Sequence, residues 1–285
     1  MFRLVNVNAR AALEYAGSWF DLAELSGDPT FADPMVAVAR SGALHTLSEQ
    51  CATSKSGGRI PATVLEAPVP CPRQSFGIGL NYREHAGESG APLPPAPLTF
   101  TKFPSCIAGP TADVALSGPM VDWEVEIVAV IGEETSHVAV DDAWSVVCGL
   151  TLGQDISDRA VQMAGTPPQF CLGKSFANYG PIGPAVVSVD SFADPDDIAL
   201  WCDVAGERMQ AARSSQLIFT IPTLVSYLSS ICTLYPGDLI FTGTPSGVGM
   251  ARGRYLAAGE VIVSGAEVIG ELRNRCVPGV GPTVP

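Results

Sequence analysis

Three carboxylates stand at every second position of the segment VDWEVEIVAVIG, which covers residues 121–132. They are Asp122, Glu124 and Glu126, and the residues around them are apolar. In a β-strand, side chains two positions apart lie on the same face, so the three acids would form a row. Such a row repels itself unless a cation or water faces it. The pattern therefore indicates either a metal site or a solvated edge strand.

A metal site of this kind needs a third oxygen donor, and Asp155 in GLTLGQDISDRAVQ is the best candidate. Hard divalent cations take oxygen ligands, and Mg2+ is usually held by a few carboxylates while it keeps waters that a substrate can displace. Asp155 also precedes a predicted helix that carries Arg159 and Gln162, so it can equally be an ordinary helix cap. The residues alone leave both interpretations open.

A second candidate for chemistry is His85, one of only three histidines, which lies three residues before Glu88 in NYREHAGE. On a helical turn these two side chains meet. A carboxylate in contact with imidazole raises the basicity of the ring and fixes its orientation, as a water-activating base requires. The alternative is a surface pair, which this spacing commonly forms.

Lys174 is a lone cation in an apolar stretch of the chain. The surrounding GKS is not a phosphate-binding loop, because that motif needs a glycine where Pro168 stands. Residues 77–79, GIG, lack the third glycine and the acid of a dinucleotide fold and indicate only a tight turn. We therefore expect no organic cofactor, and Lys174 is either a functional cation or a lysine that reaches solvent from a strand end.

The elements around these residues can be predicted in part. Thr220 is an N-cap residue, Pro222 follows in the first turn, and apolar residues then recur at helical spacing. They are Leu224, Val225, Leu228, Ile231 and Cys232. We expect this helix to stop at Pro236. The segment DLIFTGTPSGVG that follows predicts a short buried strand and a loop able to approach a ligand closely.

Residues 1–70 alternate short strand-like runs with turns and end in a loop rich in glycine and proline. We therefore expect a small N-terminal domain at 1–70 and a larger domain at 71–285 that carries the site. With 47% hydrophobic residues, 24 prolines and 29 glycines, the chain should have a real core built from many short strands and turns.

The formal net charge of −13 repels phosphate backbones and anionic lipid, which argues against nucleic acid and membrane surfaces as partners. The first residues contain charges and no long apolar run, so they predict neither a signal peptide nor a membrane anchor. Eight widely spaced cysteines without a CxxC pair are typical of free thiols in a reducing compartment. These features together predict a cytoplasmic protein.

Six segments, taken in order, closely resemble the fumarylacetoacetate hydrolase family over about residues 75–277. They are GLNYREHAGE, FTKFPSCIAGP, VDWEVEIVAVIG, QDISDRAVQ, GKSFANYGPIGP and PGDLIFTGTPSGVG. The resemblance implies an α+β, β-rich fold in which a mixed β-roll surrounds a metal-centred pocket, with a small N-terminal domain and usually a homodimer. It also implies that Mg2+ or Mn2+ is bound by Glu124, Glu126 and Asp155.

The family acts on small anionic keto acids, so the resemblance implies hydrolysis of a C–C bond in a 2,4-dioxo acid such as an acylpyruvate. In proteins that this chain resembles, a histidine assisted by a glutamate activates water, and these would be His85 and Glu88. The groups expected beside the substrate oxygens are Arg159, Gln162 and Lys174. The groups expected to bind or attract the anionic substrate are Thr244, Gly243, Arg83 and Lys102.

Three alternatives remain open within the resemblance: an oxaloacetate decarboxylase, an isomerase or decarboxylase of ring-fission diacids such as 2-hydroxyhepta-2,4-diene-1,7-dioate, and a keto-acid binder without activity. Two departures from the family pattern concern Asp155 and Arg159. Gln154 replaces the asparagine that the family usually has before the metal-binding aspartate. The family also usually has an acid at position 160, where this chain has Ala160, and this chain has an acid at Asp158 instead. We expect these changes to alter the orientation of Arg159 or the affinity for the metal.

Overall fold

The computed structural model describes residues 1–52, 65–88, 90 and 92–282. Its strands are β1 (Arg3–Val7), β2 (Arg10–Tyr15), β3 (Ser18–Asp21), β4 (Leu65–Glu66), β5 (Ser75–Gly79), β6 (Leu98–Thr101), β7 (Ile107–Ala108), β8 (Val114–Leu116), β9 (Val121–Asp122), β10 (Val125–Ile131), β11 (Val147–Gln154), β12 (Ser157–Asp158), β13 (Gly180–Val187), β14 (Ala199–Val204), β15 (Glu207–Arg213), β16 (Leu239–Phe241), β17 (Val261–Ala266) and β18 (Gly270–Pro278). Its α-helices are α1 (Leu22–Ser26), α2 (Pro34–Ala39), α3 (Ser41–Cys51), α4 (Arg83–Glu88), α5 (Arg159–Gln162), α6 (Phe170–Gly173), α7 (Ile221–Ser229) and α8 (Gly249–Arg252). The predicted α+β, β-rich class is confirmed.

The largest sheet has 11 strands in the described ranges, in the order β3-β2-β1-β13-β11-β10-β16-β5-β6, with β4 beside β1 and β7 beside β13. A five-stranded sheet has the order β15-β14-β17-β18-β8, and β12 pairs with β9. Most pairs are antiparallel, but β16 runs parallel to β5, β7 to β13 and β8 to β18. Both larger sheets are therefore mixed.

β10 is buried on both faces, and its alternating side chains reach two separate cores. Val125 and Ile127 pack in the larger core together with residues of the five-stranded sheet. Val128 and Val130 pack in a second core with residues of the N-terminal helices. Because side chains alternate along a strand, Glu126, near the start of β10, lies on the same face as Val128 and Val130.

The segment expected to be a single strand at 121–132 is two strands instead. Asp122 ends β9, where it is paired with Ser157 of β12, and β10 begins only at Val125. Trp123 and Glu124 lie between the two strands. The break separates Asp122 from the row of acids, and its carboxylate points to a different set of partners. The GIG segment at 77–79 also differs from expectation, since it belongs to β5 and not to a turn.

Helix α7 begins as predicted, because the side chain of Thr220 accepts a hydrogen bond from the N–H of Thr223. Its predicted end was wrong. The helix ends at Ser229, and Ile231, expected on the buried face, is 67% exposed. The strand predicted after it is β16, all three residues of which are buried.

The first 52 residues do not form a separate sheet. β1 pairs antiparallel with β13, so Arg3 lies opposite Val187, and β2 and β3 extend the same sheet outward. The boundary near residue 70 stays a prediction, since residues 53–64 of the expected linker lie outside the described ranges. All eight cysteines are free, and five are buried. None of the helices in the described ranges has the length and apolar character needed to span a bilayer.

Candidate active site

Glu124, Glu126 and Asp155 come together where β10 begins and β11 ends. The antiparallel register of these strands pairs Val125 with Gln154, and the N–H of Asp155 donates to the carbonyl of Glu124 at 2.8 Å. One carboxylate oxygen from each acid lies within 4.8 Å of the others. All three side chains are almost fully buried. The fold therefore builds the cluster that the sequence pattern indicated.

The three acids fit a hard divalent cation. Oxygen atoms bound on opposite sides of Mg2+ or Mn2+ are about 4.2 Å apart, so donors spread over less than 5 Å can share one ion with little movement. The cluster offers carboxylate oxygens only, which suits Mg2+ and Mn2+ better than softer metals. These residues can hold such an ion.

Lys174 lies against two of the three acids. Its ammonium donates to Glu124 Oε2 at 2.6 Å, to Asp155 Oδ2 at 2.6 Å and to the hydroxyl of Ser157 at 2.8 Å. An ammonium has three donors, so all are used within the protein. Lys174 therefore fixes the positions of Glu124 and Asp155, and Ser157 is a partner that the sequence analysis did not identify.

Lys102 lies behind the acids and not at the cavity. It is fully buried, and its ammonium donates to Asp155 Oδ1 at 2.6 Å and to the carbonyls of Lys174 and Tyr179. Burial alone would lower the pKa of Lys102, but the charge and hydrogen bond of Asp155, together with Cys106 and Glu126, outweigh it and keep that pKa above its ordinary value. Lys102 was expected to attract anionic substrate; the structure places it where it holds Asp155 instead.

Arg159 connects the acid cluster to the start of α8. Its guanidinium donates to Asp122 Oδ2 at 2.8 Å, to Glu124 Oε1 at 2.6 Å and to the Gln162 side chain at 2.9 Å. Asp122 in turn accepts the N–H groups of Gly249 and Met250 at 2.6 and 2.9 Å. Asp122 is thus a structural anion that joins Arg159 to the 249–252 segment.

Gln154 and Asp158, at which the chain departs from the family pattern, form hydrogen bonds with different partners. The side-chain oxygen of Gln154, Oε1, accepts the N–H of Glu124 at 2.9 Å, which supports the acid from behind. Asp158 caps α5 through the N–H of Val161 and accepts the hydroxyl of Ser117. No hydrogen bond is described between Asp158 and the Arg159 guanidinium, so Arg159 is oriented by Asp122 and Glu124.

The ion pairs are unevenly distributed over the cluster. Lys102, Lys174 and Arg159 pair with the acids in the described part of the chain, and none of them pairs with Glu126. The described partner of Glu126 is the N–H of Gly243, which donates to Oε2 at 2.8 Å. Burial, together with the charges of Asp155 and Glu124, holds the pKa of Glu126 well above its ordinary value. A divalent cation would relieve that repulsion.

The pKa of Glu124 shifts in the opposite direction to that of Glu126. Burial by itself would raise the pKa of Glu124, but the charges of Lys174 and Arg159 outweigh it and hold that pKa far below its ordinary value. Glu124 is therefore a permanent anion.

His85 and Glu88 meet on helix α4, as their spacing predicted. His85 Nδ1 lies 3.1 Å from Glu88 Oε2, and the two side chains are 12% and 22% exposed. Glu88 also accepts the N–H of Gly247 at 3.0 Å, which attaches α4 to the loop before α8. With Nδ1–H directed at the carboxylate, Nε2 carries the lone pair and can accept a proton.

A cavity of about 460 Å³ brings these groups together. The polar side chains that line it are His85, Glu88, Glu124, Glu126, Arg159, Gln162, Lys174 and Thr244. The Thr244 hydroxyl donates to the carbonyl of Val125 and accepts from Gln210, so it is already hydrogen-bonded. Arg83, expected to attract substrate, is exposed on α4 and is absent from the cavity lining, and Gly243 supports Glu126.

Comparison with known proteins gives a family model and curated relatives. The model described as fumarylacetoacetate (FAA) hydrolase C-terminal matches residues 74–277. The oxaloacetate tautomerase FAHD2B, mitochondrial, of Bos taurus is 40% identical over 215 residues, which cover 74% of this chain and 68% of that protein. The oxaloacetate tautomerase FAHD2A, mitochondrial, of Homo sapiens matches with the same identity and coverage. The mitochondrial names of these relatives do not support the cytoplasmic location, which stays a prediction.

Solved structures show the same fold. A Mycobacterium smegmatis structure described as HpcE is 42% identical, has a TM-score of 0.90, and is matched over 97% of this chain and 99% of that one. Maleylpyruvate hydrolase from Sphingobium sp. SYK-6, solved with a manganese(II) ion and pyruvate, is 27% identical with a TM-score of 0.81, over 97% and 99% of the two chains.

Proposed function

This chain belongs to the fumarylacetoacetate hydrolase family, and from that premise we propose that it interconverts the keto and enol forms of a 2-oxo acid with a divalent metal. The observation that carries the proposal is that Glu124 and Glu126 line the same cavity as the His85–Glu88 pair, while the buried Asp155 completes the acid cluster. The names of the 40% identical relatives, which are oxaloacetate tautomerases, favour this chemistry over the hydrolysis expected from the sequence.

Mg2+ or Mn2+, held by Glu124, Glu126 and Asp155, would supply Lewis acidity to the 2-keto oxygen of the substrate and so make the neighbouring C–H more acidic. Three carboxylates and one divalent ion would carry a net charge of −1, and Lys102, Lys174 and Arg159 more than offset it, so the site with its metal would attract an anionic substrate. The carboxylate-only donor set supports Mg2+ and Mn2+ alike, and the manganese(II) ion in the related hydrolase is the reason for using Mn2+ in the test below.

The proton transfer itself falls to His85. Its Nε2 takes the proton from carbon 3, the C–H electron pair becomes the C=C bond of the enol, and the imidazolium so formed gives that proton to the keto oxygen, which restores neutral His85. Composition is unchanged, so no further reactant is needed. Glu88 stabilises the imidazolium that forms in between. The Arg159 guanidinium and the Gln162 amide line the cavity and would stabilise the oxygen on which negative charge develops.

Hydrolysis of a C–C bond in an acylpyruvate is a second candidate, favoured by the same His85–Glu88 pair. In that reaction His85 Nε2 would take a proton from water, and the resulting hydroxide would attack the distal carbonyl carbon. Bond cleavage would release pyruvate in its enol form and a carboxylic acid. The relative that is a maleylpyruvate hydrolase supports this candidate at lower identity than the tautomerases support the first.

The test follows the enol absorbance of oxaloacetate, phenylpyruvate and acetylpyruvate, with Mn2+ and then with excess chelator. We expect the enol absorbance of at least one of these acids to decay only when metal is present, without release of CO2 or of a smaller acid. Glu126→Gln should abolish this decay. Glu133→Gln is the matched control, because Glu133 is exposed and absent from the cavity lining. Equal rates in chelator, or an unaffected Glu126→Gln variant, would refute the proposal. Pyruvate released from acetylpyruvate without enol decay of the others would establish the hydrolase.

Partners and assembly remain predictions. The expected small-molecule partner is the anionic keto acid of the proposed reaction. Sedimentation equilibrium of the purified chain tests the homodimer that the resemblance implies. A binder without activity would hold pyruvate or oxalate tightly and turn over none of the three acids.

A further inference from the structure

The cavity has an apolar wall as well as its charged groups. It is formed by Phe100 of β6, Met163 at the end of α5, Phe170 of α6, and Val248, Met250 and Ala251 at α8. These residues come from four separate elements, yet they face one space of about 460 Å³. Cavities of roughly 300–1,000 Å³ hold molecules of drug size, so this one has more room than a four-carbon acid fills.

The apolar wall begins directly beside the acid cluster. The Phe100 ring packs edge to face on Phe170, with centroids 5.8 Å apart, and the Lys174 ammonium lies 5.0 Å from the Phe100 ring centroid. Lys174 is also bonded to Glu124 and Asp155. A molecule whose keto-acid end reaches the acids can therefore place its other end against these two rings.

Two methionines extend the wall toward solvent. Met163 and Met250 are 42% and 43% exposed, although both line the cavity. Methionine is flexible and polarisable, so it can adapt its contacts to an apolar guest, and covering it removes apolar surface from water.

A second carboxylate on the substrate, placed against the apolar wall, would have no cationic partner among the described lining residues. Arg159 and Lys174 are the described arginine and lysine residues that line the cavity, and every nitrogen of both is hydrogen-bonded to the protein. The Arg159 Nη1 atom has one further N–H, which the α-carboxylate or keto oxygen of a substrate can use. A carboxylate against Phe100, Phe170 and Met250 would lose its water without gaining a cation, which is costly.

We infer that the substrate of this site is a 2-oxo monocarboxylic acid with an apolar, ring-sized group on carbon 3 or beyond. The inference rests on the proposed function and adds the substrate class. It separates this chain from relatives whose names specify oxaloacetate, a dicarboxylic acid. The keto acid binds at the acid cluster, and the apolar group lies between the Phe100–Phe170 pair and Met250.

The experiment compares enol decay of phenylpyruvate and oxaloacetate by the full chain with Mn2+. We expect kcat/KM for phenylpyruvate to exceed that for oxaloacetate by at least about tenfold. Met250→Lys adds a cation to the wall at a partly exposed position and should shift this ratio toward oxaloacetate by about tenfold or more. Ile231→Lys is the matched control, since Ile231 is exposed after α7 and absent from the cavity lining, and it should leave the ratio unchanged.

Binding gives a readout that does not depend on turnover. Phenyllactate and malate are the reduced, non-enolisable counterparts of the two substrates, and calorimetry with Mn2+ present measures their affinities. Tighter binding of phenyllactate with a negative heat-capacity change supports the inference. A preference for oxaloacetate and malate that Met250→Lys does not change would overturn it and leave the proposed function standing. Enol decay of neither acid would overturn both.

Discussion

Replacing Lys102 with methionine tests whether the buried cation behind the acids holds the cluster together. The two side chains have similar length, so Lys102→Met removes the charge and three hydrogen bonds and leaves the space filled. Asp155 Oδ1 then loses its partner at 2.6 Å, and the carbonyl of Lys174 loses an ammonium donor at 2.6 Å. Tyr179 is less affected, because its carbonyl still accepts the N–H of Ile156.

The cost can be worked from these contacts. Breaking a buried ion pair by removing one partner costs about 3–5 kcal/mol, and the lower end applies because Lys174 still pairs with Asp155 Oδ2. The carbonyl that loses its donor adds about 1 kcal/mol, for a total of about 4 kcal/mol. With a slope of about 3 kcal/mol per molar urea, the unfolding midpoint should fall by about 1.3 M. Urea titration in chelator, followed by tryptophan fluorescence, measures this change.

Arg275→Met is the matched control. Arg275 pairs with Asp113 at 2.7 Å, nearly the same distance, but the two side chains are 62% and 44% exposed. Water solvates both charges there, so we expect the unfolding midpoint to stay within measurement error of the wild type. If Lys102→Met moved the midpoint by less than about 0.3 M, equivalent to about 1 kcal/mol, the reasoning on Lys102 would be refuted.

Three further predictions concern the base, the unpaired acid and the support of α8. His85→Gln should lower turnover by about 10²–10⁴-fold and leave Mn2+ affinity, measured by calorimetry, unchanged; a parallel loss of affinity would contradict the role of His85. The raised pKa of Glu126 means that the metal-free native chain binds a proton above pH 4.5 that the unfolded chain releases. The stability of the chain should therefore fall as pH rises from there toward the raised pKa of Glu126. Glu126→Gln should remove this pH dependence of the melting temperature, and an unchanged pH dependence would count against the raised pKa of Glu126. In Gly249→Ala the new Cβ would lie 2.6 Å from Asp122 Oδ1, so the melting temperature should fall by several degrees. Gly42→Ala, which meets nothing within 4 Å in α3, should not lower it; similar effects of the two substitutions would contradict the crowding.

The part of the site that could be predicted from sequence is the part set by local periodicity. Alternation in an extended segment predicts that Glu124 and Glu126 lie on one face, and helical spacing predicts that His85 meets Glu88. The contact with Asp155 depends on the register of β10 with β11, which no single segment contains. The residues alone made Asp155 a candidate with a helix cap as the alternative, and the resemblance to a family favoured the metal site.

The apolar wall shows what the sequence could not provide. Phe100 and Met250 are 150 positions apart in the sequence, and each looks like an ordinary core residue in its own segment. Their shared exposure to one cavity depends on long-range packing of β6 and α8, and hydrophobic periodicity does not distinguish a core from a pocket. The end of α7 was missed for a related reason, since the apolar spacing continues past Ser229 although the helix does not.

The order of strands in the large sheet also sets when the chain can fold during synthesis. β1 needs β13, which ends at Val187, and β5 is joined to β10 only through β16 at Leu239–Phe241. At roughly 5–20 residues per second, a ribosome takes on the order of 10–40 s to make the residues between β1 and β13. During that interval β1 has an open edge and no partner from the later part of the sheet. We therefore expect slow folding with high contact order and a need for chaperones that shield the nascent N-terminal strands.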